Sequence, residues 1–404
     1  MKMTPAVRWA FLAVVVFTAA ASAARAEDGA RSQVYGFVMT DAGYNTEAID
    51  PSWFDVQRPT KLPATDFNPF GKDGSTFFSV RQTRFGVKSW IPTARGEIKT
   101  QFEWELFGVG VDAGQTTIRL RHAYGELGRW GVGQTWSPFM DIDVFPNTLE
   151  YWGPNGMAFF RNVQFRFMPI QGDTRMTIAL ERPGASADGG VHSDIIATDS
   201  LRARFPVPDL SAEYRVGRPW GYVEAAGIIG RMDWQDISTV STTDLSGSAT
   251  RWGVTVSSNL KFRGGGDVLR LQVVHGEGIE NYMNDAPVDI ATEPNNSLVT
   301  PFVGVALPVT GYVAFLDHSW NERFSSSIGY SRLDIRNSAG QAPDAFKSGQ
   351  YALANLLCTP VPNFMFGVEG GWIQRENNSN GIRTDNTHVQ VSAKYNFSFN
   401  VGGE

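Results

Sequence analysis

"EIKTQFEWELF", residues 97–107, puts Ile98, Thr100, Phe102, Trp104 and Leu106 at one parity and Glu97, Lys99, Gln101, Glu103 and Glu105 at the other. Side chains of an extended strand point alternately to its two faces, so the segment reads as a strand with one apolar and one charged face. The pattern returns at 117–125, where Ile118, Leu120 and Tyr124 oppose Arg119 and Arg121, and at 162–167, where Val163, Phe165 and Phe167 oppose Gln164 and Arg166. It recurs at 175–181, 210–216, 251–262, 269–273 and 390–397; strands near 34–43 and 221–231 carry more small residues.

The connections have a rhythm of their own. Short ones near 92–96, 128–129, 169–173, 217–220, 263–266, 320–321 and 360–363 alternate with long polar ones at 46–75, 108–115, within 129–162, and at 183–204, 235–249, 278–308, 335–348 and 376–386. In an up-and-down sheet this sends every long loop to one end and every tight turn to the other. About sixteen strands result. A soluble sandwich would show the same alternation with its polar face outward. Three features favour a membrane barrel instead. The strands approach the roughly ten residues that cross a bilayer when tilted. Aromatics such as Tyr214, Trp252, Phe262, Tyr395 and Phe397 fall toward strand ends, where interfacial girdles belong. The polar face is densely charged, which suits a water-filled lumen. The expected fold is therefore all-β, a transmembrane antiparallel β-barrel of about 16 strands.

Targeting agrees with this. Residues 1–26 hold Lys2 and Arg8, an apolar run over 9–20, and Ala24-Arg25-Ala26 before Glu27; this reads as a secretory signal peptide, too short to span. The barrel domain is expected over 27–404. Loss of Lys2, Arg8 and Arg25 with the leader takes the formal charge from minus 6 to minus 9, which argues against a nucleic-acid partner. Cys358 is the only cysteine, so no intrachain disulfide is available.

The third long connection stands apart from the rest. "RWGVGQTWSPFMDIDVFPNTLEYWGPNGMAFFRN", 129–162, begins as a short strand and is then broken by Pro146, Asn147, Gly153, Pro154, Asn155 and Gly156, yet carries Phe139, Met140, Phe145, Leu149, Tyr151, Trp152, Met157 and Phe159. The breakers forbid a helix or ladder strand, and the apolar surface forbids a solvated loop. It is predicted to fold inward against the barrel wall, with Asp141 and Asp143 facing the water column as a constriction. It is also expected to be alone among the long loops in doing so.

Several stretches resemble DcaP-like outer-membrane porins: Tyr35-Gly36-Phe37, "RQTRFGVKS" (81–89), "RLRHAYGEL" (119–127), "GQTWSPF" (133–139), "NTLEYWGPNG" (147–156) and "ALPVTGY" (306–312). The likeness spans nearly the whole chain after the leader. It implies an outer-membrane location, a homotrimer of sixteen-stranded channels with an inward third loop, and dicarboxylate-like anionic solutes. Two departures stand out. Only 27–33 precede the first strand, so no coiled-coil stalk is expected, and 400–404 run past Phe399, where such barrels end on an aromatic.

Parity sends Arg84, Lys88, Lys99, Arg119, Arg121 and Arg166 inward, because a lipid-facing Arg at the midplane costs about 2–4 kcal/mol. A cationic wall across from an acidic loop would grip a carboxylate and release it to water, which predicts passive diffusion of small anionic solutes. The same residues admit a structural reading: Glu103 opposite Arg121 and Glu105 opposite Arg119 as ion pairs that stiffen the wall. Arg81 has the wrong parity relative to Arg84, which requires a bulge or a place above the bilayer. Arg175, Arg215, Arg251 and Arg270 are expected as general lumen lining. Asp141 and Asp143 would otherwise cap the loop's own backbone. The alternative function is a broad, weakly cation-selective porin, or a non-conducting surface barrel that binds partners through its loops.

No enzyme, metal or cofactor is indicated. None of the five histidines lies in an H-E-x-x-H pattern, no G-x-S-x-G elbow is present, and neither Gly108-Val109-Gly110 nor Gly131-Val132-Gly133 opens a helix after a strand. His122 and His275 share parity with lipid-facing neighbours.

Overall fold

A computed structural model describes residues 29–194, 196, 201–238, 244–262, 264, 266–297 and 300–402. The leader expected at 1–26 lies outside them, as do Gly403 and Glu404. The described residues form a closed antiparallel barrel of sixteen strands. In chain order these are β1 (Arg31–Asn45), β2 (Ser75–Ser79 and Arg84–Thr93), β3 (Gly96–Phe107), β4 (Thr116–Leu127), β5 (Trp130–Trp136), β6 (Arg161–Ile170), β7 (Arg175–Glu181) and β8 (Leu201–Arg204 and Asp209–Arg218). The second half comprises β9 (Gly221–Asp236), β10 (Gly247–Phe262), β11 (Asp267–Glu277), β12 (Pro308–Ser319), β13 (Phe324–Ile335), β14 (Phe346–Val361), β15 (Phe364–Asn377) and β16 (Arg383–Gly402). Each strand pairs with its sequence neighbour, and β1 closes on β16 from Arg31↔Gly402 to Asn45↔His388. Closure removes the edges that an open sheet would expose to lipid.

Tight turns join β2 to β3, β4 to β5, β8 to β9 and β14 to β15 with two residues each. In the last of these Asn363 sits at φ 69°, a conformation that asparagine tolerates better than other side chains. All long loops, L1 to L8 in order, leave the opposite end. The outward faces present Ile229, Val254, Val256, Val273, Val389 and Val391, all exposed on the isolated chain, with Tyr214, Trp252, Phe262 and Tyr395 among the exposed aromatics. An apolar exterior around a polar interior is the reverse of a soluble sandwich, and it fits lipid on the outside.

Two irregularities change which side chains point inward. Residues 80–83 interrupt β2, whose two segments both pair with β1. The interruption turns Arg81 into the barrel, where it is 1% exposed, pairs with Asp55 of L1 at 2.5 Å and lies over the Phe107 ring at 3.8 Å. The parity conflict between Arg81 and Arg84 is thus resolved by a bulge. A register shift between β3 and β4 sets Glu103 opposite His122 and Trp104 opposite Leu120, leaving Arg121 as the extra residue. Glu103 therefore does not stand opposite Arg121 as simple alternation predicts. The same shift overturns the outward placement of His122 and Tyr124. His122 is buried against Thr135 and Trp136, and Tyr124 reaches Glu126 while Arg166 lies over its ring.

The loops fill much of the barrel. L3 (137–160) buries Phe139, Met140, Val144, Leu149 and Met157 against strands of the far wall; each such side chain is worth about 1.5–3 kcal/mol. L3 is not alone in folding inward, as the sequence had suggested. L1 (46–74) buries Ile49, Trp53, Val56 and Leu62, and L6 (278–307) buries Ile279, Tyr282 and Met283 in the same clusters. The returning limb of L3 comes so close to the wall that a Cβ on Gly156 would stand 2.2 Å from the carbonyl oxygen of Arg332 and 2.8 Å from that of Tyr312. Only glycine permits that approach.

Candidate functional site: a loop-crossed lumen

L3 is anchored by wall side chains that hydrogen-bond its main chain and acids. Asp141 is fully buried rather than facing water. Its Oδ1 accepts the backbone N–H of Asp143 at 3.0 Å and Nη2 of Arg215 at 2.6 Å, while Oδ2 accepts the hydroxyls of Tyr222 and Ser257, both at 2.6 Å. A buried carboxylate is tolerable only with such complete pairing. Arg215 is the hub of this clasp. It reaches Asp143 at 2.5 Å and Glu224 at 2.7 Å, and its guanidinium lies 3.7 Å from the centre of the Tyr222 ring. Of the two loop acids only Asp143 meets the lumen, with a side chain 47% exposed.

Farther along, Arg270 and Asn259 donate to the carbonyl of Asp143, and Asn355 to that of Asn147. Glu369 on β15 accepts the N–H groups of Leu149 and Glu150, each at 2.7 Å. Gln82 and Gln390 donate to the carbonyl of Leu149. Glu150 is itself buried, and its oxygens accept N–H groups from Gln57, Trp152 and Gly153. Burial outweighs those bonds, and with Glu369 nearby it pushes the Glu150 carboxyl up to about 8. At Tyr151 the loop has crossed to β3 and β4: the ring stacks on Phe107 at 4.1 Å and its hydroxyl donates to Glu105. It then returns, with Gly156 N–H on Ser331 and Ala158 N–H on Gln272.

A second clasp binds three loops together. The Arg58 guanidinium of L1 sits in the corner that the Trp53 and Trp152 rings make, 4.1 Å from each centroid, and pairs with Asp285 of L6 at 2.8 Å. Trp53 meets Trp152 edge to face at 4.9 Å. Two ring contacts plus an ion pair spend most of what a guanidinium offers.

Where Tyr151 touches the wall, four guanidiniums surround two carboxylates. Glu105, fully buried, has Arg121 at 2.7 Å, Arg84 at 3.3 Å, Arg119 at 3.7 Å and Arg161 at 3.9 Å. Glu103 takes Arg121 at 2.6 Å and the Tyr35 hydroxyl at 2.7 Å. Arg121, 5% exposed, spends its donors on these acids. Arg84 and Arg119 make only long contacts and keep side chains 24% and 27% exposed to the lumen. The set retains two positive charges.

The other sequence-selected cations lie nearer the tight-turn end. Lys99 is half-exposed and pairs with Glu126 at 3.2 Å. Lys88 sits 5.0 Å from the Tyr35 ring, and Arg166 donates to the Trp136 carbonyl and to Gln164. Two participants escaped sequence reasoning. Arg161 follows L3 directly at the head of β6, so its place beside the loop was visible in order. Arg215 was expected as lining, and nothing local distinguishes it from Arg175, which pairs with Glu213 and Glu224. Arg251, paired with Asp209 of β8 at 2.5 Å, likewise anchors loops, through Asp289 of L6 at 3.6 Å and the carbonyls of Gly184 and Gly278. His275 stays on the exposed face, edge-on to Trp252.

A sixteen-stranded barrel with an apolar exterior, a charged interior and a long loop crossing that interior defines an outer-membrane porin. The model of the DcaP outer membrane protein family matches residues 16–397, and the chain belongs to that family. Among solved structures it is similar to the outer membrane channel DcaP of Acinetobacter baumannii, with 19% identity, 91% of this chain and 98% of that chain covered, and a TM-score of 0.74. It also resembles an anion-selective porin from Comamonas acidovorans (10% identity, 91% and 100% covered, TM-score 0.58) and a loop L8 deletion mutant of OmpT from Vibrio cholerae (12%, 92% and 100%, 0.54). At these identities the likenesses establish the fold. Among curated proteins no significant sequence match is found. The protein is thus an outer-membrane channel of DcaP type, and its relatives are channels rather than enzymes.

Proposed function

We propose that the chain, freed of residues 1–26, assembles as a trimer of passive diffusion channels that favour small anions of the dicarboxylate kind. The observation that carries this reading is the pair Arg84 and Arg119, half-free guanidiniums beside Tyr151 where L3 crosses the lumen. Glu103 and Glu105 hold Arg121 between them, and Arg161 stands 3.9 Å from Glu105 with a side chain only 6% exposed, so Arg84 and Arg119 are the members of the set that meet the water, and two carboxylates do not neutralise four cations. Two guanidiniums that flank one carboxylate, Arg84 at Oε2 and Arg119 at Oε1 of Glu105, suit a solute with two carboxylates, and partial neutralisation keeps the grip weak enough for release. Asp143 across the lumen contributes the other pole of a transverse field. The anion selectivity of the Comamonas porin is in keeping with this.

Reversal potentials in a salt gradient across planar bilayers test the reading. Anion preference that shrinks as salt rises is expected, because the Debye length is only about 8 Å at physiological salt; firm cation selectivity would overturn it. Succinate is expected to block chloride current more than acetate does. Chemical cross-linking of the unheated protein tests the trimer, and the mass of the exported chain tests cleavage before Glu27.

One observation favours a second reading. L1, L3 and L6 together occupy so much of the lumen that a barrel with little conductance follows naturally, its loops serving as a binding surface. Insertion into bilayers without current steps is the result that reading requires.

A further inference from the structure

Beside the lumen, one patch on the outer wall departs from the apolar rule. From Leu180 of β7 the outward series continues to Arg182, just past the strand, where its N–H donates to the Val163 carbonyl; on β9 it runs Ile229, Arg231 and Asp233. Register places these in rows. Glu181 pairs with Asp209 and Leu210 pairs with Ile229, so Arg182 and Arg231 occupy one row two strands apart, about 10 Å at the usual strand spacing. Above them, on the first segment of β8, Arg204 pairs with Asp233 and Arg202 with Gln235. All four arginines are exposed. Arg231 has Asp233 at 2.6 Å and remains 57% exposed. Among the described residues no carboxylate pairs with Arg182, Arg202 or Arg204.

The patch therefore carries a net charge of plus three on a chain that is acidic overall. It lies at the long-loop end, the extracellular side of an outer-membrane barrel. Directly beneath it Leu180, Leu210 and Ile229 are exposed. Cations at the edge of an apolar band match a lipid whose phosphates sit above its acyl chains: guanidinium pairs with phosphate in a bidentate fork, and the chains cover the leucines and isoleucine. Buried in hydrocarbon, each arginine would cost several kcal/mol, so the row marks the headgroup level.

We infer that Arg182, Arg202, Arg204 and Arg231 form a docking site for a phosphate-bearing glycolipid of the outer leaflet. The site is independent of the lumen and of whichever solute passes through it.

The test uses the full exported chain in detergent micelles and bisphosphorylated lipid A as the probe, with fully dephosphorylated lipid A as the comparison. Wild-type protein is expected to retain the phosphorylated probe preferentially, with affinity falling as salt rises. Each arginine near an anionic surface contributes about fivefold, so Arg202→Gln with Arg204→Gln should weaken retention at least tenfold, and Arg182→Gln with Arg231→Gln similarly. Heat-modifiable gel migration verifies that the variants remain barrels. Equal retention of the two lipids by wild-type protein would overturn the site, as would equal retention of the phosphorylated lipid by wild type and both variants. Cross-linking of Arg204→Cys between two copies in the membrane would show the patch to be a protein interface, and would overturn it too.

Discussion

Arg215→Ala removes the hub that fastens L3 to β8. The guanidinium serves Asp141, Asp143 and Glu224 at 2.5–2.7 Å. Truncation leaves the buried Asp141 with only the Tyr222 and Ser257 hydroxyls and one backbone N–H. Breaking a buried pair by deleting one partner costs about 3–5 kcal/mol. Charged to L3 docking, that moves the docked-to-undocked ratio by about two to three and a half orders of magnitude, at about 1.4 kcal/mol per decade. The barrel itself keeps its full ladder, so the loss should fall on the loop. Single-channel recording is expected to show larger and noisier current steps, while unheated gel migration stays that of a folded barrel. Asp141→Asn in the same chain removes the orphaned charge and should recover much of the quiet state, a coupling of about 1–3 kcal/mol in a double-mutant cycle. Unchanged conductance and noise in Arg215→Ala, or simple additivity with Asp141→Asn, would refute the clasp.

Three further expectations follow from the same geometry. Glu105→Gln raises the charge of the arginine cluster from plus two to plus three and should raise the chloride-to-potassium permeability ratio read from reversal potentials; a fall would count against an anion-facing cluster. The raised Glu150 carboxyl means that its contribution to L3 docking is complete below about 4.5 and is lost as pH rises through about 8. Wild-type current noise should therefore grow between those values, and Glu150→Gln should flatten the profile. Gly156→Ala forces a methyl toward the Arg332 and Tyr312 carbonyl oxygens, and overpacking of this kind costs about 1–3 kcal/mol; faster protease cleavage within 137–160 of the folded barrel is the expected readout.

The barrel was legible because it repeats. Alternation at 97–107, and long loops alternating with short ones, are local signals that lipid and water impose on every strand. The inward course of L3 was legible for a related reason: apolar residues among helix and strand breakers have to be buried somewhere. The same logic applies to Trp53, Val56 and Leu62 of L1, but these are spread thinly through a polar stretch and make a weaker signal. Arg215 could not be singled out, because its decisive partner Asp141 lies 74 residues away and alternation gives an inward arginine no address. His122 was misplaced by one extra residue at Arg121. Period-two reasoning carries no internal warning of a bulge, and every assignment beyond it inverts.

The seam between β1 and β16 bears on how the molecule comes into being. Fourteen of the strands find both neighbours close by in the chain, whereas Asn45 and His388, side by side in the finished wall, are 343 residues apart. β1 can take its second neighbour only after every other strand has been threaded and aligned. Until then it carries a row of open N–H and C=O groups fifteen residues long, a template to which any stray strand could add. Contacts so distant are slow to form. The last pairing event is therefore the one that makes the protein safe to leave alone.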